Sequence, residues 1–167
     1  RRRRIPAERV VWLVVGMALF RDLPIEEVLK RLQVALPAKN GKVPAKSGVT
    51  QARQRVGPDA IRYLFERTAK RWAVQSADRY RWRGLSLWAV DGTSLRVPDS
   101  EENRAHFGGR SNQRSDSGYP IARVVTLMAL RSHLLGAARI APYNTSELAL
   151  AADLWGEIPN DSLTIVD

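Results

Sequence analysis

The sequence predicts an α+β protein in which a helical, helix-turn-helix-like region is followed by a region that contains strands. Two changes near residue 84 support this division. Apolar residues recur at helical spacing before that point and in short, nearly continuous runs after it. Residues 1–83 carry 20 Lys and Arg against 7 Asp and Glu, a net charge of +13, whereas residues 84–167 carry 7 against 10, a net charge of −3. We therefore predict two domains, 1–83 and 84–167.

The first half is predicted to contain four helices. Pro6 lies near the first turn of an almost entirely apolar helix, and Pro24 precedes apolar residues at helical spacing. A loop rich in Pro, Lys and Gly follows at Leu36–Gly48, and Gly57-Pro58 separates the last two helices. The four predicted helices are Ala7–Phe20, Ile25–Leu32, Val49–Val56 and Asp59–Val74. Short helices joined by tight turns are compatible with a helix-turn-helix arrangement.

The second half is predicted to contain four strands and one helix. Pro98–Tyr119 is rich in Gly, Ser, Asn and charged residues and is predicted to be a long loop. Asn144 followed by Glu147 approximates a capping box at the start of a helix. The predicted strands are Leu85–Val90, Arg123–Leu130, His133–Ile140 and Leu163–Val166, and the helix is Asn144–Trp155.

The composition restricts the possible metal sites and compartments. The chain has no Cys and two His, which excludes disulfides, thiolate zinc sites and His-rich metal sites. Any bound metal therefore needs oxygen ligands, which favours Mg²⁺ or Mn²⁺. The apolar run Val10–Phe20 is too short to span a bilayer, which takes about 20 residues, and lacks a signal-peptide cleavage site. It predicts a buried helix of a cytoplasmic protein, and the abrupt ends of the chain suggest a fragment.

The basic first half predicts a polyanionic partner. DNA fits a basic module joined to a mildly acidic one. An anionic membrane surface and a basic surface without function are the alternatives. The best candidates for DNA contact lie on the short third helix and are of types that contact bases or phosphates: Thr50, Gln51, Arg53, Gln54 and Arg55. A solvated helix face explains the same residues equally well.

Two aspartates stand out because each follows a short apolar run, SLWAVD at Asp91 and SLTIVD at Asp167. The order of three strands, a helix and a further strand can place these two strand ends side by side. Two adjacent carboxylates can share divalent cations that activate a nucleophile and stabilise a leaving oxygen. The structural alternative is that aspartate ends a strand because it begins a turn, as in the dipeptide Asp91-Gly92.

Other polar residues have simpler explanations. Thr93 can orient Asp91 or contact a phosphate, but a hydroxyl that caps a turn is the simpler interpretation. Glu147 is explained by the capping box. The remaining acids and histidines are interpreted as solvated or ordinary structural residues: Asp99, Glu101, Glu102, His106 and His133.

The segment WAVDGTSLRVPDSEENRAHFG, residues 88–108, resembles the first catalytic stretch of DDE transposases of bacterial insertion sequences, the insertion-sequence-four group. YPIARVVTLMALRSHLLGAARIAPYNTSELALAADL is similar to the strands and helix that follow in that group, and SLTIVD to the strand with the second catalytic aspartate. IPAERVVWLVVGMALFRDLPIEEVLKRL and KSGVTQARQRVG resemble its N-terminal region. The resemblance covers nearly the whole chain.

This resemblance implies an incomplete ribonuclease H-like α/β domain at 84–167, two divalent metal ions (Mg²⁺ or Mn²⁺), and cleavage and joining of DNA at transposon ends. Asp91 and Asp167 match the family's first two catalytic and metal-binding aspartates, and the third acid, a glutamate, is expected beyond residue 167. The resemblance also implies double-stranded DNA partners, homo-oligomers on DNA and a bacterial, nucleoid-associated location. A DNA-binding remnant that does not cut and an unrelated acidic-site nuclease remain the alternatives.

Overall fold

The computed structural model of the chain describes residues 5–32, 44–109 and 118–166. Within these ranges the protein is a mixed α+β structure with six α-helices and one four-stranded sheet. In chain order the elements are α1 (Ala7–Leu19), α2 (Ile25–Arg31), α3 (Lys46–Val56), α4 (Asp59–Arg79), β1 (Ser86–Arg96), α5 (Glu101–Phe107), β2 (Ile121–Ala129), β3 (Leu134–Pro142), α6 (Glu147–Ala152) and β4 (Ser162–Val166). A 3-10 turn at Trp155–Glu157 follows α6.

The chain divides into two compact units, Arg1–Phe65 and Glu66–Asp167, and the boundary between them falls inside α4. The domain boundary expected at residues 83 and 84 stays a prediction. Among the described residues, none of the helices combines the length and the apolarity needed to cross a bilayer.

The first unit has a small core formed by three helices. Val28 and Leu29 of α2 and Val49 of α3 pack with Leu13 of α1. α1 contributes residues at i, i+3 and i+6, namely Val10, Leu13 and Gly16, as expected for one face of a helix. Gly16 permits the close approach of α2, because a Cβ there would lie 2.6 Å from Leu32 Cδ1 and 3.2 Å from Val28 Cγ1.

The expectation that α1 is buried is correct for one face only. Trp12 is 56% exposed and Leu19 is 74% exposed. The apolar core around α1 is supplied by α2 and α3 within the described residues, and both pack on the face that carries Leu13. A helix with apolar residues on all sides can therefore still have one side exposed, and the sequence alone does not show which side is buried.

The second unit is built on a mixed sheet with the order β3-β2-β1-β4. The pairs β1–β2 and β2–β3 are antiparallel, whereas β4 runs parallel to β1. Antiparallel neighbours need only a short turn, while a parallel neighbour needs a crossover. α6 lies in the connection between β3 and β4, so the chain returns to the far side of β1 through a helix.

Trp88 is the largest fully buried side chain of the second unit and lies at the centre of its core. It is 1% exposed and shares a cluster with Leu127 and with Ala73 and Ala77 of α4. Its indole Nε1 donates to Ser86 Oγ at 3.1 Å, so the one polar atom of the ring is satisfied. Gly136 of β3 leaves room for the ring, because a Cβ there would lie 3.0 Å from Trp88 Cζ3.

Helix α4 is longer than the predicted Asp59–Val74 and continues to Arg79. Its small residues Ala73 and Ala77 pack into the core of the second unit, which stabilises the extra turns. Lys70 Nζ lies 2.9 Å from Glu157 Oε2 in the 3-10 turn. The Lys70 ammonium group lowers the pKa of the Glu157 carboxyl group, because it stabilises the charged form.

Helix α5 lies inside Pro98–Tyr119, so the prediction of a loop throughout that segment is wrong. Ser100 is its N-cap, and the Ser100 hydroxyl accepts a hydrogen bond from the Asn103 amide at 3.2 Å. Arg104 binds Asp99, at 2.5 Å between Nε and Oδ1, and this contact lowers the pKa of the Asp99 carboxyl group. A local cap and a local ion pair therefore stabilise this seven-residue helix.

Most other predicted elements occur where they were expected, with shifted ends. α3 begins at Lys46, inside the predicted loop, and β2 and β3 flank the predicted turn at Arg131-Ser132. The predicted helix Asn144–Trp155 is shorter, because α6 covers Glu147–Ala152 and a 3-10 turn follows. Helix ends depend on capping contacts that periodicity does not encode.

Candidate functional site

Asp91 lies in the middle of β1 and not at its end, which corrects the interpretation of SLWAVD as a complete strand. β1 continues to Arg96, and Asp91 pairs with Thr126 of β2. β1 extends past Asp91 because residues 91–96 also form backbone pairs with β2, and the last of these pairs is Arg96↔Ile121. The side chains of these residues are polar or exposed. A strand needs paired backbone groups and does not need an apolar side chain at every second position.

The interpretation of Asp91-Gly92 as the start of a turn and that of Thr93 as a turn-capping residue are therefore both wrong. Asp91 and Gly92 belong to a paired strand and do not begin a turn, and Thr93 pairs with Val124 rather than capping a turn. The side chains of Asp91 and Thr93 are both exposed. They project from the same face of the sheet, because they lie two residues apart on one strand.

The expectation that the last strand, β4, lies next to β1 in the sheet is confirmed. β4 pairs with β1 in parallel, and the register runs from Ser86↔Ser162 to Val90↔Val166. The next residue in the sequence after Val90 is Asp91, and the next after Val166 is Asp167. Asp167 itself lies outside the described residues.

The face of the sheet that carries Asp91 also carries exposed apolar side chains. Leu95 lies four residues further along β1, Ile165 of β4 pairs with Ala89, and Ile140 of β3 pairs with Val124. Their exposed fractions are 52% for Leu95, 52% for Ile165 and 66% for Ile140. Asp91 is therefore an exposed carboxylate whose immediate neighbours on this face include Thr93 and Thr126, and exposed apolar side chains lie further along the same face.

The chemistry of Asp91 fits a hard divalent cation. A carboxylate oxygen is a ligand that Mg²⁺ and Mn²⁺ prefer, and within the described ranges the Asp91 carboxylate has no ion-pair partner. No group of three acid, His or Cys side chains able to hold a metal occurs among those residues. Of the two predicted metal ligands, Asp91 and Asp167, the described part of the chain includes Asp91.

Glu147 is not the capping residue that the sequence predicts. The N-cap of α6 is Ser146, which makes no side-chain capping bond. Instead, the Glu147 carboxylate accepts a hydrogen bond from Arg123 Nη1 of β2. Glu147 thus forms an ion pair with a residue 24 positions away in the sequence instead of capping its own helix.

Glu147 lies against β1 on the face opposite to Asp91. A Cβ on Gly92 would lie 2.9 Å from Glu147 Cδ and 3.0 Å from its Oε2, and adjacent residues of a strand point to opposite faces. A side chain at position 92 would therefore have to displace the carboxylate end of the flexible Glu147 side chain. The geometry keeps Glu147 away from the face on which Asp91 lies.

Arg123 was not identified from the sequence. Its side chain is 19% exposed, its Nε donates to Tyr143 O at 3.1 Å, and its guanidinium group lies 5.2 Å from the centre of the Tyr143 ring. These contacts join β2 to the segment before α6. No local pattern could reveal them, because both partners lie at least 20 residues away in the sequence.

The five predicted DNA-contact residues all lie on the exposed side of α3. Val49 and Ala52 are buried at 1% and 0% exposure, whereas the predicted residues are exposed: Thr50, Gln51, Arg53, Gln54 and Arg55. The Thr50 hydroxyl donates to the Lys46 carbonyl oxygen at 3.3 Å. Arg55 Nη2 lies 3.5 Å from the Ile5 carbonyl oxygen, so this arginine lies at the edge of the exposed side.

The remaining candidates match their structural interpretation. Glu101 and Glu102 are exposed in the first turn of α5. His106 makes an edge-to-face contact with Phe107 at 4.7 Å between ring centres. His133 is exposed in the turn between β2 and β3, with φ of 57°.

Comparison with known proteins adds independent information. A family model described as "Insertion element 4 transposase N-terminal" matches residues 1–66. The whole chain is 40% identical over 172 residues to "Putative transposase InsZ" of Escherichia coli strain K12 and covers 55% of that protein. It is 40% identical over 167 residues to "Transposase InsG for insertion sequence element IS4" of the same organism and covers 37% of it. No solved structure matches the chain.

The chain thus spans about half the length of one curated relative and just over a third of the other. The family model covers the helical first unit, and the identity extends through the sheet to the last residue. The resemblance noted for the sequence is confirmed. The chain is thus similar to insertion element 4 transposases along its whole length.

Proposed function

We propose that this chain forms the DNA-binding region and the first part of the catalytic domain of a DDE transposase. In this proposal α3 contacts the DNA of transposon ends, and Asp91 and Asp167 are the first two carboxylates of a site that cleaves and joins phosphodiesters. The protein acts on double-stranded DNA as a homo-oligomer, in the bacterial cytoplasm at the nucleoid.

One observation carries the catalytic part of the proposal. β1 and β4 are parallel, their last described pair is Val90↔Val166, and both strands have an aspartate as the next residue in the sequence. Neighbouring strands lie about 4.7–4.9 Å apart. Continuation of the register by one residue would bring the two carboxylates to the same face of the sheet and within reach of a common cation.

Two divalent metal ions at Asp91 and Asp167 would stabilise the attacking and leaving oxygens of phosphoryl transfer. Asp91 supplies oxygen ligands from an exposed position on a paired strand. Asp91 pairs with Thr126 of β2, and the preceding residue Val90 pairs with Val166 of β4, so the strand that carries the carboxylate is fixed before a metal or DNA arrives. Rigid elements position site residues more accurately than loops do.

The topology supports a ribonuclease H-like assignment for residues 84–167. Three consecutive antiparallel strands, a helix and a parallel fourth strand next to β1 agree with the order that the resemblance implies. For the first unit, the Gly57-Pro58 connection between α3 and α4 is tight, which supports a helix-turn-helix-like arrangement.

Replacing both Arg53 and Arg55 by alanine is expected to weaken binding to duplex DNA and to reduce its salt dependence. Each phosphate contact to duplex DNA contributes about 0.9 to the slope of log K against log [salt], so loss of two contacts should reduce the slope by about 1.8. The measurement is a fluorescence anisotropy titration of labelled transposon-end DNA at several salt concentrations.

The matched control is Arg62→Ala together with Arg67→Ala, which removes two exposed cations from α4. Replacing Arg62 and Arg67 should change the salt slope of duplex binding less than replacing Arg53 and Arg55 does. An unchanged slope in the α3 variant would exclude α3 from the interface, and absence of duplex binding by the wild-type chain would contradict the proposed function.

A further inference from the structure

The end of α4 and the start of β1 form an exposed cluster of aromatic and basic residues in the second unit. We call it the aromatic corner and define it by four side chains, Tyr80, Trp82, Arg83 and Arg131. Tyr80 is 52% exposed and Trp82 is 51% exposed, and both arginines are exposed as well. Neither ring belongs to the core of this unit.

A tight turn holds this corner in place. Trp82 and Leu85 exchange two backbone hydrogen bonds, each 2.9 Å long, and the two residues between them have positive φ, 49° at Arg83 and 83° at Gly84. These are the features of a type I′ turn. Arg81 adds to the support, because it binds Asp78 at 2.7 Å and the Gly84 carbonyl oxygen at 2.6 Å.

Arg83 occupies an unfavourable backbone conformation at the tip of this turn. A non-glycine residue with positive φ is uncommon, and Asn or Gly is preferred at such a position. Residues in such conformations cluster at functional sites. The tip of the turn thus carries an exposed guanidinium group.

In the aromatic corner, an arginine guanidinium group lies over each of the two rings, Trp82 and Tyr80. The Arg83 guanidinium carbon is 4.9 Å from the centre of the Trp82 ring, and that of Arg131, from the turn between β2 and β3, is 5.6 Å from the centre of the Tyr80 ring. Within the described ranges neither arginine has an acidic partner. Their charges are thus available to an anionic ligand.

Together these features match the chemistry of unpaired DNA. Successive bases of a single strand stack on aromatic side chains, and cations beside the rings bind the phosphates. The bases of an intact duplex are already stacked on each other, so duplex DNA can use the arginines but not the rings. An acidic protein segment would use the charges without a need for two half-exposed aromatic rings.

We propose that the aromatic corner binds single-stranded DNA, with bases stacked on Trp82 and Tyr80 and phosphates held by Arg83 and Arg131. This inference rests on the proposed function, since it assumes that DNA is the partner. It adds a surface of the second unit that does not include Asp91. From Ser86, at the start of β1, to Asp91 the strand extends about 17 Å at its usual rise per residue.

The test compares Trp82→Leu with the wild-type chain in titrations of labelled oligothymidine of about 16 nucleotides, with duplex DNA of the same length and with an abasic strand. Loss of stacking on one base should lower affinity for oligothymidine about tenfold, while duplex affinity should change less than about twofold. The abasic strand keeps its phosphates, so both proteins should bind it equally. Trp155→Leu removes another exposed tryptophan, 47% exposed, and should change none of the three affinities.

The variant Arg83→Gly removes the Arg83 charge without disturbing the turn, so it tests the charge alone. Glycine accepts positive φ without strain, so the unfolding midpoint should not fall, whereas the salt slope for oligothymidine should decrease by about 0.7. Arg71→Ala, an exposed arginine of α4, should leave this slope nearly unchanged.

The proposal is overturned if Trp82→Leu binds oligothymidine as the wild type does, or if Trp155→Leu weakens binding to the same extent. Competition by polyglutamate as effective as that by oligothymidine would assign the corner to acidic proteins and would also overturn it. Duplex binding that persists in these cases leaves the proposed function intact. Failure of the wild type to bind any DNA would contradict both.

Discussion

Replacement of Asp91 by asparagine is expected to abolish metal-dependent DNA cleavage by the protein expressed from its complete reading frame. Asparagine keeps the size and the strand position of the side chain but removes the negative charge that a divalent cation needs. Loss of about 4 kcal/mol of transition-state stabilisation corresponds to about a thousandfold lower rate. The measurement is nicking of transposon-end DNA with Mg²⁺ or Mn²⁺, with a metal chelator as the blank.

The control for this change is Asp153→Asn, which removes another exposed carboxylate of the same unit and should cut at the wild-type rate. Duplex affinity should be unchanged in both variants, because α3 is intact. Wild-type cleavage by Asp91→Asn would refute the catalytic role. Metal-independent binding by the wild type with no cleavage at all would support a DNA-binding remnant instead.

Replacement of Trp88 by alanine is expected to destabilise the second unit by about 3–5 kcal/mol, the usual cost of removing a large buried aromatic side chain. Trp88 is 1% exposed and contacts both α4 and the sheet, so little of the cavity can be filled by movement of neighbouring residues. A domain is commonly stable by about 5–15 kcal/mol. The loss would therefore remove a large part of the total, as measured by urea unfolding followed by circular dichroism.

Trp155→Ala provides the comparison, because Trp155 is 47% exposed and its truncation removes much less buried apolar surface. It should shift the unfolding midpoint by a small fraction of the shift caused by Trp88→Ala. Equal shifts for the two variants would mean that Trp88 does not form the centre of this core.

The periodicity of apolar residues was sufficient to locate most helices and strands. α1 and α2 follow a proline and show helical spacing, and β2 is a nearly continuous apolar run, so local residue types determine these elements. α5 was missed although Ser100 and the two glutamates after it are ordinary start signals of a helix. The many charged and small residues around it resembled a loop.

The limits of β1 and the role of Glu147 could not be predicted from local sequence. β1 continues past Asp91 because β2 supplies backbone partners, and Glu147 pairs with Arg123 because the fold brings β2 next to α6. Both depend on residues that are distant in the sequence. The parallel pairing of β1 with β4 is of the same kind, and the order of elements allowed it without requiring it.

The five residues of α3 show a different limit. Val49 and Ala52 define the buried side of this helix, and the exposed positions follow from helical geometry alone. Exposure is needed for contact with DNA, but a solvated helix face has the same pattern. Binding measurements on the Arg53 and Arg55 variants are therefore needed to distinguish the two.

The most direct measurement is formation of a disulfide between residues 91 and 167 after the substitutions Asp91→Cys and Asp167→Cys. The chain has no natural cysteine, so any intramolecular cross-link reports on this pair. Disulfides need Cα atoms about 4.4–6.8 Å apart, which the continued register of two neighbouring strands would satisfy. Asp91→Cys with Asp161→Cys, a residue directly before the other end of β4, is the control. We expect rapid and complete cross-linking of the first pair and little of the second; equal rates for both pairs would show that the two aspartates do not share a site.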